Sequence, residues 1–175
     1  PSVPGYDEAW TGLTDLVYDV YGMRVEWTIF ASPGPDGARE ALVRRLAALS
    51  IGRAHKIQHW EIANEGLGTG FGSDAGRVEM QALTRVLRSL VPQPVAITAT
   101  QSDVAARALY NGSAANLLTE HLDRSLNGTG GLWRPVRQAW DPQFYWPGAW
   151  TSNEPIGPQS SVEEDDDPLR LTMSA

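Results

Sequence analysis

The chain has 175 residues, 42% of them apolar, with a net charge of −7 and no cysteine. That is enough apolar side chain for one core, and the missing thiols exclude disulfides, cysteine nucleophiles and zinc–thiolate centres. The acidic balance, with no basic cluster denser than Arg44-Arg45, argues against a nucleic-acid partner, and no apolar run is long enough to span a bilayer.

Residues 7–22, "DEAWTGLTDLVYDVYG", carry Trp10, Leu13, Val17, Val20 and Tyr21 near helical spacing, with Gly22 as a stop. "MRVEWTIFA" is β-branched and aromatic and predicts a strand, followed by the turn cluster "SPGPDG". "AREALVRRLAALS" predicts an amphipathic helix with Leu42, Leu46 and Leu49 on one face. A second strand, "IQHWEIANE", leads into "GLGTGFGSDAG". That glycine-rich stretch lacks the Lys and Ser/Thr of a phosphate-binding loop and reads as a flexible connection. "RVEMQALTRVLRSL" predicts a helix, "PVAITATQ" a strand and "SDVAARALYNG" a short helix. "NLLTEHLD" and "AWTSNEPIG" are the remaining strand-like runs, "LWRPVRQAW" a short helix between them, and "DPLRLTMSA" a helix cut at its start.

Strands alternating with helices imply parallel βαβ units. An open doubly wound sheet and part of a (β/α)8 barrel both fit. A whole barrel needs about 250 residues, so a chain of 175 holds only part of one, as a single incomplete domain over residues 1–175.

Two strand-like runs close on Asn-Glu: Asn64-Glu65 and Asn153-Glu154. The carboxyl ends of parallel strands are where such proteins carry their chemistry. The two glutamates stand 89 residues apart, close to three βα units of about 31 residues each. Strands three apart in an eight-stranded barrel face each other across its mouth. Two carboxyl groups across a mouth are the equipment for glycoside hydrolysis. A lone Asn-Glu is ordinarily polar loop chemistry; the second one at this spacing is what gives the first its interest.

"WEIANEG" resembles the end of strand four in glycoside hydrolase clan A, the cellulase-like retaining glycosidases, and Glu61 completes the Glu-x-x-Asn-Glu form seen in some members. "SNEPIG" resembles the end of strand seven. The resemblance covers strands three to seven; strands one, two and eight have no counterpart. Gly66 stands where the family more often has Pro. The resemblance implies that Glu65 is the acid/base, Glu154 the nucleophile, and Asn64 a hydrogen-bond partner of the sugar 2-hydroxyl. His121, in "TEHLDR", falls where strand six carries a histidine in many members.

Seven Trp and five Tyr are present, and Trp140, Phe144, Tyr145, Trp146 and Trp150 precede Glu154. Such residues pack cores or form flat platforms for sugar rings; Tyr145, Trp146 and Trp150 are the candidate substrate contacts. The expected partner is a poly- or oligosaccharide, with no metal or organic cofactor, nucleic acid or membrane. No signal peptide is visible, and compartment is left open, secretion included. Glu61 shares the strand parity of Glu65 and is expected to serve a hydrogen-bond network rather than catalysis. His55 and His59 flank the start of that strand and read as structural. "EEDDD" at 163–167 reads as a solvated run without the ligand alternation of an EF-hand. Asn111-Gly-Ser113 and Asn127-Gly-Thr129 match glycosylation sequons. The rival readings are a carbohydrate-binding or degenerate barrel fragment without turnover, and a metal-dependent hydrolase using Glu65, Glu154 and part of "EEDDD".

Overall fold

The computed structural model describes residues 3–31, 37–67, 70–99, 104–120 and 148–151. The first helix, α1, spans Tyr6–Tyr21 and ends on Gly22, whose N–H donates to the Tyr18 carbonyl and whose left-handed φ of 67° turns the Met23 N–H back to the Val17 carbonyl. Strand β1 (Val25–Phe30) follows, then α2 (Arg39–Leu49), a single 3-10 turn (Ala54–Lys56) and β2 (Ile57–Ala63). Helix α3 (Asp74–Leu90) leads to β3 (Val95–Ala96) and β4 (Thr98–Ala99), two halves of one run broken at Ile97. Helix α4 (Val104–Asn111), β5 (Leu117–Glu120) and β6 (Ala149–Thr151) complete the described elements. Each of the five segments expected as strands contains strand, the third in two pieces. The expected helices at "LWRPVRQAW" and "DPLRLTMSA" lie outside the described residues.

Among the described residues every strand pairing is parallel. β1 pairs with β2 and β2 with β3; β4 pairs with β5 and β5 with β6. They make two three-stranded sheets, β1-β2-β3 and β4-β5-β6, each in chain order and joined through the β3–β4 run. At the β1–β2 seam the register slips: Val25 pairs with Ile57, but Glu26 pairs with His59, leaving Gln58 as an extra residue on β2.

One face of this array packs on helices. Trp10 of α1 stacks on Trp27 and Trp60, with ring centroids 4.9 and 5.9 Å away. Ile57, Trp60, Ile62, Val95, Ile97 and Leu118 join Val43, Leu46, Met80, Leu83 and Leu87 of α2 and α3 in the buried core. Thr14 is fully buried and accepts the Trp27 indole N–H at 3.2 Å. Leu13, Val20 and Tyr21, expected on the buried face of α1, are instead exposed; the packed stripe runs through Trp10 and Thr14. On α2 the buried stripe is Val43, Leu46 and Ala47, with Leu42 and Leu49 at its margin. Carboxylates of α1 tie it to the next βα unit: Arg45 to Asp7, Arg53 to Asp15, and Lys56 to both Asp15 and Asp19. Among the described residues no helix is long and apolar enough to cross a membrane.

Candidate active site

Strand β2 ends at Ala63, two residues earlier than its sequence suggests, and Asn64–Leu67 form a turn. The turn is strapped to both neighbouring strands. Asn64 N–H donates to the Phe30 carbonyl of β1 at 3.0 Å, and Gly66 N–H donates to the Thr98 carbonyl of β4 at 3.1 Å. Glu65 sits between the straps at φ 47°, the one non-glycine residue with positive φ among those described. A glutamate has no local reason to adopt this conformation, which costs about 1–2 kcal/mol; such residues concentrate at functional sites. Asn64 and Glu65 are both half-buried.

Gly66 is required by packing. A Cβ there would stand 2.5 Å from Met80 Sδ and 3.1 Å from Ala63 Cβ, and Met80 is fully buried. A proline or alanine in its place would press on the buried Met80 side chain of α3. Further along, Ser73 caps α3 by accepting the Gly76 N–H, so the helix begins at Asp74 rather than at Arg77. The expectation of a flexible connection fails at Phe71. It is 1% exposed, packs 6.1 Å from the Phe30 ring and lies under the Arg39 guanidinium, which also pairs with Glu79. An aromatic ring among glycines was the signal for this anchor.

Below the turn, the second face of the sheet carries a polar cluster. Glu61 is fully buried. Thr28 Oγ1 donates to its Oε2 at 2.7 Å and Thr119 Oγ1 donates to its Oε1 at 2.8 Å. Thr119 Oγ1 is also 2.8 Å from Thr98 Oγ1. Having given its single proton to Glu61, Thr119 accepts in that second bond, and Thr98 donates. Adjacent strands are about 4.8 Å apart, so β2 and β5 lie two spacings apart. Glu61 bridges them because its register partner on β3 is Ala96, whose methyl leaves room for the carboxylate to cross. The expectation that Glu61 serves a network matches this geometry; its threonine partners gave no sequence signal of their own.

From the helix side, Tyr110 of α4 enters the β4–β5 seam. Its hydroxyl accepts the N–H groups of Ile97 and Thr119, each at 3.3 Å. Burial is the main reason its phenol is pushed well above the ordinary tyrosine range, with the nearby Glu61 carboxylate adding to it. His59 is buried near the amino end of β2, with Nε2 3.2 Å from Glu26 Oε1 but off the angle of a hydrogen bond.

Of the other sequence candidates, Trp150 stands on β6 as the register partner of Leu118. It therefore shares the face of that core leucine, opposite to the face of Thr119 and Glu61, and is 44% exposed. Glu154, His121, Tyr145 and Trp146 lie outside the described residues, as does "EEDDD"; Glu154 is three positions beyond the end of β6. Among the described residues no three His, Asp or Glu side chains are grouped as a metal site. No family model matches the chain, and neither a curated protein nor a solved structure matches it.

Proposed function

We infer that the chain forms strands three to seven of a (β/α)8 glycoside hydrolase of the clan-A type, acting on β-glycosidic bonds of an oligo- or polysaccharide with retention of configuration. One observation carries the reading. Asn64-Glu65 follows the carboxyl end of β2, and β6, which precedes Glu154, is three steps along a parallel array that runs in chain order. A doubly wound sheet reverses direction at a switch point; the chain-order sequence of the described strands supports the barrel reading.

In this reading Glu65 protonates the glycosidic oxygen as the bond to the anomeric carbon breaks. The Glu154 carboxylate attacks that carbon to give a glycosyl-enzyme. Glu65 then takes a proton from water as the water displaces Glu154. Asn64, fixed by its strap to Phe30, is set to bind the sugar beside the reacting centre. Tyr145, Trp146 and His121 are the substrate contacts proposed from the sequence; Trp150, on the other face of β6, is left out of that set.

The test is hydrolysis of aryl β-glycosides by the full-length protein. Glu154→Ala is expected to lower kcat/KM by about a hundredfold or more for any of them, and Glu65→Ala by as much for those whose leaving phenol is not activated. A loss under about tenfold for Glu154→Ala sinks the assignment. Activity abolished by EDTA would favour the metal-dependent hydrolase, and sugar binding without turnover would favour a binding module.

A further inference from the structure

We propose that Glu61 and Thr119 are positioning residues for Glu65: a buried hydrogen-bond circuit that fixes where the acid/base carboxyl is held. The proposal rests on the glycosidase reading above and adds to it the part of the molecule that aims the proton donor.

The circuit closes on itself. Glu61 Oε1 accepts from Thr119 Oγ1, and Thr119 Oγ1 accepts from Thr98 Oγ1. The carbonyl of the same Thr98 accepts the Gly66 N–H, the bond next to Glu65. The covalent chain from Gly66 back to Glu61 completes the ring. A second branch does the same on the other side. Glu61 Oε2 accepts from Thr28 Oγ1, and two residues along β1 the Phe30 carbonyl accepts the Asn64 N–H. Both straps on the turn therefore come from strands that Glu61 clamps. The clamp is worth building because Glu65 is held at φ 47°, a conformation that the surroundings must impose. Hydrogen bonds to a buried carboxylate are stronger than neutral ones, so the carboxylate makes a stiffer tie than a threonine or glutamine would.

Function enters through geometry. A general acid works only when its proton is within hydrogen-bond reach of the leaving oxygen, and a misplacement of about 1 Å can cost about a hundredfold. The requirement depends on the leaving group. An alkoxide leaving group needs the proton; a 2,4-dinitrophenolate departs without it. A residue acting through Glu65 therefore affects the first kind of substrate and spares the second. A residue that only supports the fold lowers both together.

The experiment compares kcat/KM for a β-linked disaccharide with that for the 2,4-dinitrophenyl β-glycoside, in the full-length protein. kcat/KM is the right quantity because it stops at formation of the glycosyl-enzyme. The variants are Thr119→Val, which keeps shape and loses the hydroxyl, Thr119→Ser, which keeps the hydroxyl, and Glu61→Gln. The expected result is that Thr119→Val and Glu61→Gln lower the disaccharide-to-dinitrophenyl ratio by about tenfold or more, and that Thr119→Ser restores it to within about threefold of wild type. Glu65→Ala should lower the ratio further in the same direction. A ratio unchanged in Thr119→Val and Glu61→Gln, with both substrates falling together, overturns the positioning role and leaves the glycosidase reading intact. A wild-type protein inactive on both substrates overturns the reading, and the proposal with it.

Discussion

The hydroxyl of Tyr110 accepts the backbone N–H of Thr119 at 3.3 Å, so a side chain from a helix stands where a strand carbonyl would otherwise complete the sheet ladder. The same oxygen also takes the N–H of Ile97, the residue at which β3 and β4 part.

Replacing Tyr110 with Phe keeps the ring and leaves two buried N–H groups without an acceptor. At about 1–3 kcal/mol for each unsatisfied donor, Tyr110→Phe should lose about 2–6 kcal/mol. Urea unfolding measures the total, and hydrogen exchange at Ile97 and Thr119 shows whether the loss is local. A change below about 1 kcal/mol would mean that the seam closes without the hydroxyl.

The crowding at Gly66 predicts a different kind of damage. A methyl group there meets Met80 Sδ at 2.5 Å and Ala63 Cβ at 3.1 Å, so Gly66→Ala must displace the Met80 side chain, which is fully buried. The cost of such overpacking is about 1–3 kcal/mol. Thermal unfolding with an unchanged far-ultraviolet spectrum is the expected signature; an unshifted midpoint would show that Met80 repacks freely.

Glu65 is predicted to trade stability for its position. Glycine tolerates positive φ at no steric cost, and Glu65 has φ 47°. Glu65→Gly should therefore unfold no more easily than wild type, and later by up to about 1 kcal/mol, while hydrolysis falls. Clear destabilisation in urea would show that the side chain's own contacts outweigh the backbone strain.

The tie between α1 and the next unit predicts acid sensitivity. The Arg53 guanidinium and the Lys56 ammonium hold the Asp15 carboxyl down from 3.8 to about 2. Its folded value is depressed, so its contribution is present above about 4 and is lost as pH falls towards 2. Asp15→Asn should melt earlier than wild type at pH 7, with the gap closing across that window. A gap independent of pH would place the effect elsewhere.

The parallel α/β architecture was legible because its signals are local. β-branched and aromatic runs such as "VEWTIF", the leucine periodicity of α2 and the stop at Gly22 each report on their own segment. Asn64-Glu65 was legible as a strand end for the same reason. What stayed hidden depends on contacts between distant segments. Nothing around Thr28, Thr98 or Thr119 shows that two of these hydroxyls meet at one carboxylate and that the third bonds to Thr119, since that follows from strand order and register. The exposure of Leu13 and Val20 is likewise set by which stripe of α1 meets Trp27 and Trp60. Phe71 was misread because glycine neighbours suggest freedom, whereas a ring can anchor the loop that carries it.

The slip at Gln58 has a consequence for how β2 can tolerate change. Side chains alternate along a strand, so Ile57, His59 and Glu61 belong to one phase by counting alone. Yet Ile57 lies in the apolar core beside the helices, while Glu61 meets the threonines on the other side. The extra residue is where the strand changes phase. It lets the chain enter β2 anchored by an isoleucine and leave it presenting a carboxylate. A strand without Gln58 would have to choose, putting either an aliphatic chain among hydroxyls or an acid against tryptophan. The bulge is thus the point at which one line of side chains along β2 passes from the apolar core, at Ile57, to the polar cluster, at Glu61.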